Sequence, residues 1–232
     1  MAKKKLKKFA EVNFFSNVVQ PEIRHPAFNF HLRGAWHKHF FRNNHPIILE
    51  IGCGKGEYTV GLARACPTNN FIGIDIKGDR MWTGAKEALE LGLGNAAFLR
   101  IQAERINYLF SENEVSGIWI TFPDPQERAS RRKKRLTSPQ FLERYRRILK
   151  PGSPVHLKTD NQMLFEYTLE VIREEGLGLE FATPDLYGAP HLKEPMVRTI
   201  QTYYETKFLE QGRPIHYLKF FPGSAQSDPE PA

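Results

Sequence analysis

The residues with chemical potential fall at a few positions in the chain. Glycines alternate at Gly52, Gly54 and Gly56, directly after the apolar run IILEI. A turn of that composition lets a ligand approach the backbone with no Cβ in the way. Glu50 stands near the end of the run, Glu57 just beyond the glycines, and Asp75 at the end of FIGID. An acid after the second strand, about 20 residues past such a loop, is placed to accept hydrogen bonds from both ribose hydroxyls. Farther on, Pro123 and Pro125 flank Asp124 and restrict the backbone on both sides, holding one carboxylate in a fixed direction. The cations Arg131, Arg132, Lys133, Lys134 and Arg135 follow within a few residues, a run suited to phosphates.

The loop suits a nucleoside ligand, and its charge narrows the choice. A dinucleotide fingerprint reads G-x-G-x-x-G, whereas these glycines read G-x-G-x-G with carboxylates beside them. Carboxylates repel a pyrophosphate but suit a sulfonium and an ammonium group, which favours S-adenosylmethionine over NAD. For Glu50 the structural alternative is a solvated acid at a strand end. Gln102, after the third apolar run, has the amide to meet an adenine edge; neighbouring Glu104 offers a second contact or simply opens a helix. An ordinary proline turn is the plain alternative for Asp124.

Elements that position these groups are legible in the hydrophobic pattern. IILEI, FIGID, AAFLRI, SGIWIT and SPVHLKT are short runs rich in β-branched and aromatic residues, separated by helix-length stretches. Alternation of that kind predicts a parallel α/β sheet. Helices are expected over EYTVGLARA, over GDRMWTGAKEALELG with Met81, Ala85, Ala88 and Leu89 inward, from Pro139 to Leu149, and after Asp160. VRTIQTYYETKFLEQGRPIHYLKFF reads as strand, turn and strand. Residues 1–32 read as a basic, partly disordered arm, 33–221 as the main domain, and 222–232 as a disordered tail.

Lysine and arginine number 33 against 26 acids, a formal charge of +7, which points to a polyanionic partner, nucleic acid first. Cys53 and Cys66 have neither the number nor the spacing of a disulfide framework or zinc site. His37 and His39 lack further ligands and read as a surface helix, so no metal is expected. The basic N-terminus leads into polar and aromatic residues rather than a signal-like apolar run, and no stretch spans a bilayer, so the expectation is a cytoplasmic protein without a membrane partner.

Taken together, LEIGCGKG, FIGID, FPDPQERASRRKKRL, the KTD ending at Asp160 and TYYE from Thr202 to Glu205 resemble the bacterial tRNA (guanine-N7)-methyltransferase family. Its pattern couples L-E-I-G-x-G-x-G, F-x-G-I-[ED], F-P-D-P-W-x-K-x-R-H-x-K-R-R-L, T-D and T-x-Y-E. The likeness runs from Ile47 to Phe208, without gaps across the Pro-Asp-Pro segment. It implies a Rossmann-like class I fold: a seven-stranded, mostly parallel sheet with an antiparallel C-terminal strand and helices on both faces. It implies methyl transfer from S-adenosylmethionine to N7 of the variable-loop guanine, position 46, of tRNA, by a monomer or homodimer. Glu50, the three loop glycines, Asp75 and Gln102 would contact the cofactor, with Asp124 at its methyl end as the catalytic-site acid. Arg128, Asp160, Thr202, Tyr203, Tyr204 and Glu205 would hold the guanosine, and residues 131–135 the tRNA phosphates. Gln126 departs from the family tryptophan, Arg128 from lysine, Ser130 and Arg131 from an arginine-histidine pair, and Gln102 from aspartate; Asp75 in place of glutamate is a milder change. The alternatives are a methyltransferase acting on an exocyclic base amine, whose motif has an aromatic where Gln126 stands, and a non-catalytic RNA-binding module with a degenerate pocket.

Overall fold

The structure, a computed structural model, describes residues 2–22, 29–190, 192 and 194–224. Eight strands form one sheet: β1 (Val18–Val19), β2 (Ile47–Ile51), β3 (Asn70–Asp75), β4 (Ala96–Arg100), β5 (Val115–Thr121), β6 (Val155–Thr159), β7 (Leu177–Thr183) and β8 (His216–Ser224). Their order is β1-β4-β3-β2-β5-β6-β8-β7. All pairings from β1 to β6 are parallel, and β8 runs antiparallel to both β6 and β7. The helices are α1 (Ala2–Val12), α2 (Glu57–Ala65), α3 (Gly78–Glu90), α4 (Pro139–Ile148), α5 (Gln162–Glu174), α6 (Met196–Thr199) and α7 (Tyr203–Glu210).

Successive strand residues enter opposite cores, as a sheet covered on both faces requires. Ile72, Ile74, Leu99, Ile118 and Ile120 pack with Leu142 and Tyr145 of α4 and Leu164 of α5. Their neighbours Phe71, Phe98 and Trp119 pack with Tyr58 and Leu62 of α2 and Met81 and Ala85 of α3. Leu89, expected inward, is 40% exposed at the end of α3.

The sequence pattern misplaces several stretches. The first half of VRTIQTYYETKFLEQGRPIHYLKFF, from Val197, expected as a strand, instead enters α6 and α7, and Thr202 caps α7, its Oγ1 accepting the Glu205 N–H at 3.2 Å. The seventh strand of the expected set is instead β7, whose alternation is blurred because it lies at the sheet edge with the successive residues Leu179 and Glu180 both exposed. The N-terminal arm, expected to be basic and partly disordered, supplies both α1 and the edge strand β1. Val12 is 1% exposed, and Trp82 Nε1 donates to Glu11 at 2.7 Å. Residues 23–28 of the expected arm and 225–232 of the expected tail lie outside the described residues, whereas Pro222–Ser224, expected in the disordered tail, belong to β8, paired there with β7.

Candidate active site

Strand order reverses on either side of β2, so the loop after β2 opens between the carboxyl ends of β3 and β5, where ligands of open α/β sheets bind. Gly52, Gly54 and Gly56 all adopt left-handed backbone angles, with φ of 82°, 55° and 79°. At Gly56 a Cβ would also come within 2.5 Å of the Phe98 ring. Gly52 faces open space, where an added Cβ would meet only Leu136, at 3.8 Å. One functional glycine escapes the motif: Gly84 in α3 donates its N–H to Lys55 O at 2.7 Å, and a Cβ there would lie 2.6 Å from the same oxygen. The available signal is a glycine inside an otherwise good helix, which costs helical stability and needs a packing reason.

Asp75 ties the loop to β3. Its Oδ2 accepts the Gly54 N–H at 2.9 Å and its Oδ1 the Lys77 N–H at 2.8 Å, and each oxygen keeps capacity for a further donor. Glu50 lies beneath the loop, 3% exposed, so it is not the solvated strand-end acid of the plain alternative. Its Oε2 accepts the N–H and hydroxyl of Thr59 at 2.8 and 2.5 Å, and its Oε1 accepts the Thr121 hydroxyl at 2.5 Å. Burial pushes its pKa up to about 7, against the lowering effect of those hydrogen bonds; nearby Asp75 adds a smaller upward push. A buried carboxylate so poised favours a cation above it. Gln102 and Glu104 are both exposed, at the start of the short 3-10 turn that follows β4.

The Pro-Asp-Pro segment leaves the end of β5 and projects Asp124 into solvent. Phe122 and Gln126, on either side, both hold φ of 47°, an uncommon conformation for residues with a Cβ. Asp124 Oδ1 accepts the Gln126 N–H at 3.0 Å. Arg135 secures the turn from below: only 6% exposed, it donates Nε and Nη2 to Gln126 O at 3.3 Å and lies over the Tyr167 ring at 4.3 Å. Counted by sequence among the phosphate-binding cations, Arg135 is a strut, because its guanidinium is consumed by backbone carbonyls. Arg131, Arg132, Lys133 and Lys134 are exposed on the adjoining 3-10 segment, beside Arg128.

Residues expected to hold the substrate divide in the same way. Tyr203 and Tyr204 are 54% and 45% exposed at the start of α7. The Tyr203 N–H donates to Glu57 at 2.9 Å, and Lys55 sits 4.1 Å over its ring, so α7 is brought against the glycine loop. Thr202 and Glu205 face inward. Glu205 is fully buried and paired with Lys158 Nζ at 2.7 Å, while the Tyr187 hydroxyl donates to it at 2.9 Å. Lys158 also donates to Val197 O at 2.7 Å. Burial lowers the lysine's pKa, and the Glu205 carboxylate opposes that drop. A lysine in the middle of the buried strand HLKT is the signal for this pair, since an ammonium there requires a partner. Asp160, at the end of β6, pairs with Arg213 at 2.5 Å.

Comparisons with known proteins agree with this geometry. Residues 44–218 match a family described as putative methyltransferase. The tRNA (guanine-N(7)-)-methyltransferase of Christiangramia forsetii is 52% identical over 220 residues, covering 94% of this chain and 98% of that one. Its counterpart from Bacteroides fragilis is 49% identical over 95% of this chain and 86% of its own length. The chain belongs to the tRNA (guanine-N(7)-)-methyltransferase family. Among solved structures, the 16S rRNA methyltransferase KamB superposes with a TM-score of 0.60 at 17% identity, over 84% of this chain and 95% of that one, a likeness of fold alone.

Against the pattern of that family, the departure at Gln126 falls where the turn depends on main chain. The contacts holding the turn run through the Gln126 N–H and carbonyl, to Asp124 and Arg135, so the turn does not require an aromatic side chain there. No described helix is long and apolar enough to cross a membrane.

Proposed function

We propose that this methyltransferase transfers the methyl group of S-adenosylmethionine to N7 of the variable-loop guanine, position 46, of tRNA, in the cytoplasm. The observation that carries the reading is the placement of Asp124: an exposed carboxylate on a turn stiffened by two prolines, at the strand end next to the glycine loop and beside a cluster of exposed cations. The residues fit the cofactor. The open side of Gly52 and Gly54 would receive its amino-acid end, Asp75 would accept from the ribose, Gln102 would meet the adenine, and Glu50 would supply buried negative charge near its cationic groups. When bound, S-adenosylmethionine supplies an electrophilic methyl on a sulfonium.

Guanine N7 carries a lone pair and no proton, so the site needs no general base, and positioning supplies most of the rate. Tyr203 and Tyr204 offer exposed aromatic faces to a purine, with Arg128 at the rim. Thr202 and Glu205 act one step back, by fixing α7. As N7 is alkylated the ring becomes cationic, and Asp124 stabilises charge that develops in the transition state. Arg131, Arg132, Lys133 and Lys134 draw the tRNA backbone toward the same edge.

Incubating the protein with unmodified tRNA and methyl-labelled S-adenosylmethionine, then mapping the labelled base, tests the reading directly. Label on N7 of the variable-loop guanine is expected; label on an exocyclic amine overturns it. Asp124→Asn is expected to keep cofactor affinity while lowering kcat by a hundredfold or more, on the order of the loss of one transition-state electrostatic contact. Unchanged turnover removes Asp124 from the mechanism.

A further inference from the structure

The N-terminal arm borders a cavity of about 460 Å³ at the carboxyl ends of β3 and β4, lined among others by Asn13, Gln20, Ile76, Ile101 and Gln102. Ile76 directly follows the ribose-side acid Asp75 and is 50% exposed, an apolar surface with no covering group large enough to bury it. The opposite wall comes from the arm, which several contacts hold in place. Arg100 lies 4.4 Å from the Phe9 ring, donates Nε to Ile76 O at 3.2 Å, and donates Nη1 to Gln20 Oε1 at 3.1 Å. Gln20 Nε2 in turn donates to Asn13 Oδ1 at 2.8 Å. One arginine thus links the strand that carries Asp75, the strand that precedes Gln102, and the arm. Asn13 is exposed with its oxygen taken by Gln20, and neither its amide nitrogen nor the exposed Gln102 amide has a hydrogen-bond partner among the described residues.

We infer that the arm completes the adenine end of the cofactor site: the cavity takes the purine, Ile76 packs against its face, and the amides of Asn13 and Gln102 meet its edge, with Gln20 as the positioning residue that aims Asn13. The chemistry matches, because an adenine edge presents both ring-nitrogen acceptors and an exocyclic amine donor: the Asn13 amide nitrogen donates to a ring nitrogen, and the Gln102 amide oxygen accepts from the amine. The arm is therefore a ligand-binding element and not merely a basic extension. This inference rests on the S-adenosylmethionine reading above and adds to it residues that lie outside the matched motif region, upstream of Ile47.

Isothermal titration of the full chain with S-adenosylhomocysteine, the demethylated product, tests it. Asn13→Ala and Gln20→Ala are expected to weaken binding about five- to tenfold, the loss of one edge hydrogen bond. S-inosylhomocysteine, whose purine carries a proton on ring N1 where adenine has an acceptor for the Asn13 amide nitrogen, gives a readout that a purely structural role would not move: the wild type prefers the adenosyl ligand, and Asn13→Ala narrows that preference. Hydrogen exchange on the wild type provides a check that needs no variant, with residues 13–22 expected to gain protection on ligand binding. Wild-type binding with unchanged affinity in both variants and no added protection overturns the inference and leaves the methyltransferase reading standing. Absence of binding by the wild type overturns both.

Discussion

Replacing Glu50 with glutamine isolates the cost of holding a carboxylate beneath the cofactor loop. The amide is isosteric: its oxygen still accepts from Thr59, and its nitrogen can donate to the Thr121 hydroxyl, which rotates to accept. In the folded protein the Glu50 pKa rises from 4.5 to about 7, mainly by burial. Below pH 4.5 the group is protonated in both folded and unfolded chains, and its stabilising contribution is fully present. Between 4.5 and 7 only the unfolded chain ionises, so each step upward in pH favours unfolding. Above 7 both forms are ionised and the loss is complete, about 3 kcal/mol at one pKa unit per 1.36 kcal/mol. Glu50→Gln lacks this dependence. Its stability relative to wild type, from urea unfolding without ligand, is therefore expected to rise by about 2.5 kcal/mol between pH 5 and pH 8. Parallel stability profiles for the two proteins over that range would refute the reasoning. A companion measurement reports on function: a cation bound over Glu50 draws it into the ionised form, so S-adenosylmethionine binding near pH 6.5 releases a proton. Titration in buffers of differing ionisation enthalpy should detect that proton in the wild type and not in the variant.

Lys158→Met strands the Glu205 carboxylate in the core and is expected to cost about 3–5 kcal/mol, whereas adding Glu205→Met recovers part of that loss; a double variant less stable than the single one contradicts the ion-pair account. Lys133→Ala or Lys134→Ala should weaken tRNA binding and make its logarithmic salt dependence shallower by about one counterion each, measured by filter binding across salt concentrations. Arg135→Ala should instead lower the urea midpoint and leave that salt slope unchanged, since its guanidinium spans the backbone of the Pro-Asp-Pro turn; a slope that falls as it does for Lys133 would return Arg135 to the phosphate-binding set.

Local chemistry made much of this protein readable from its sequence. The runs IILEI, FIGID, AAFLRI, SGIWIT and SPVHLKT announced themselves as strands because both faces of a parallel sheet are buried, leaving nearly unbroken apolar segments. The glycine loop and Pro-Asp-Pro were legible for a related reason: glycine and proline restrict or free the backbone wherever they stand, whatever surrounds them. Tertiary structure decided the direction in which polar side chains point. Arg135 and Lys134 are chain neighbours of the same charge, yet one grips carbonyls beneath a turn and the other meets solvent. Tyr204 and Glu205 are likewise adjacent, one exposed and the other paired with a lysine 47 residues away in the chain. The arm followed the same rule, since α1 and β1 depend on α3 and β4 for the surface they cover. A charge reveals by type what it can bind, but its desolvation depends on packing against residues distant in the chain, and only the folded chain brings those partners together.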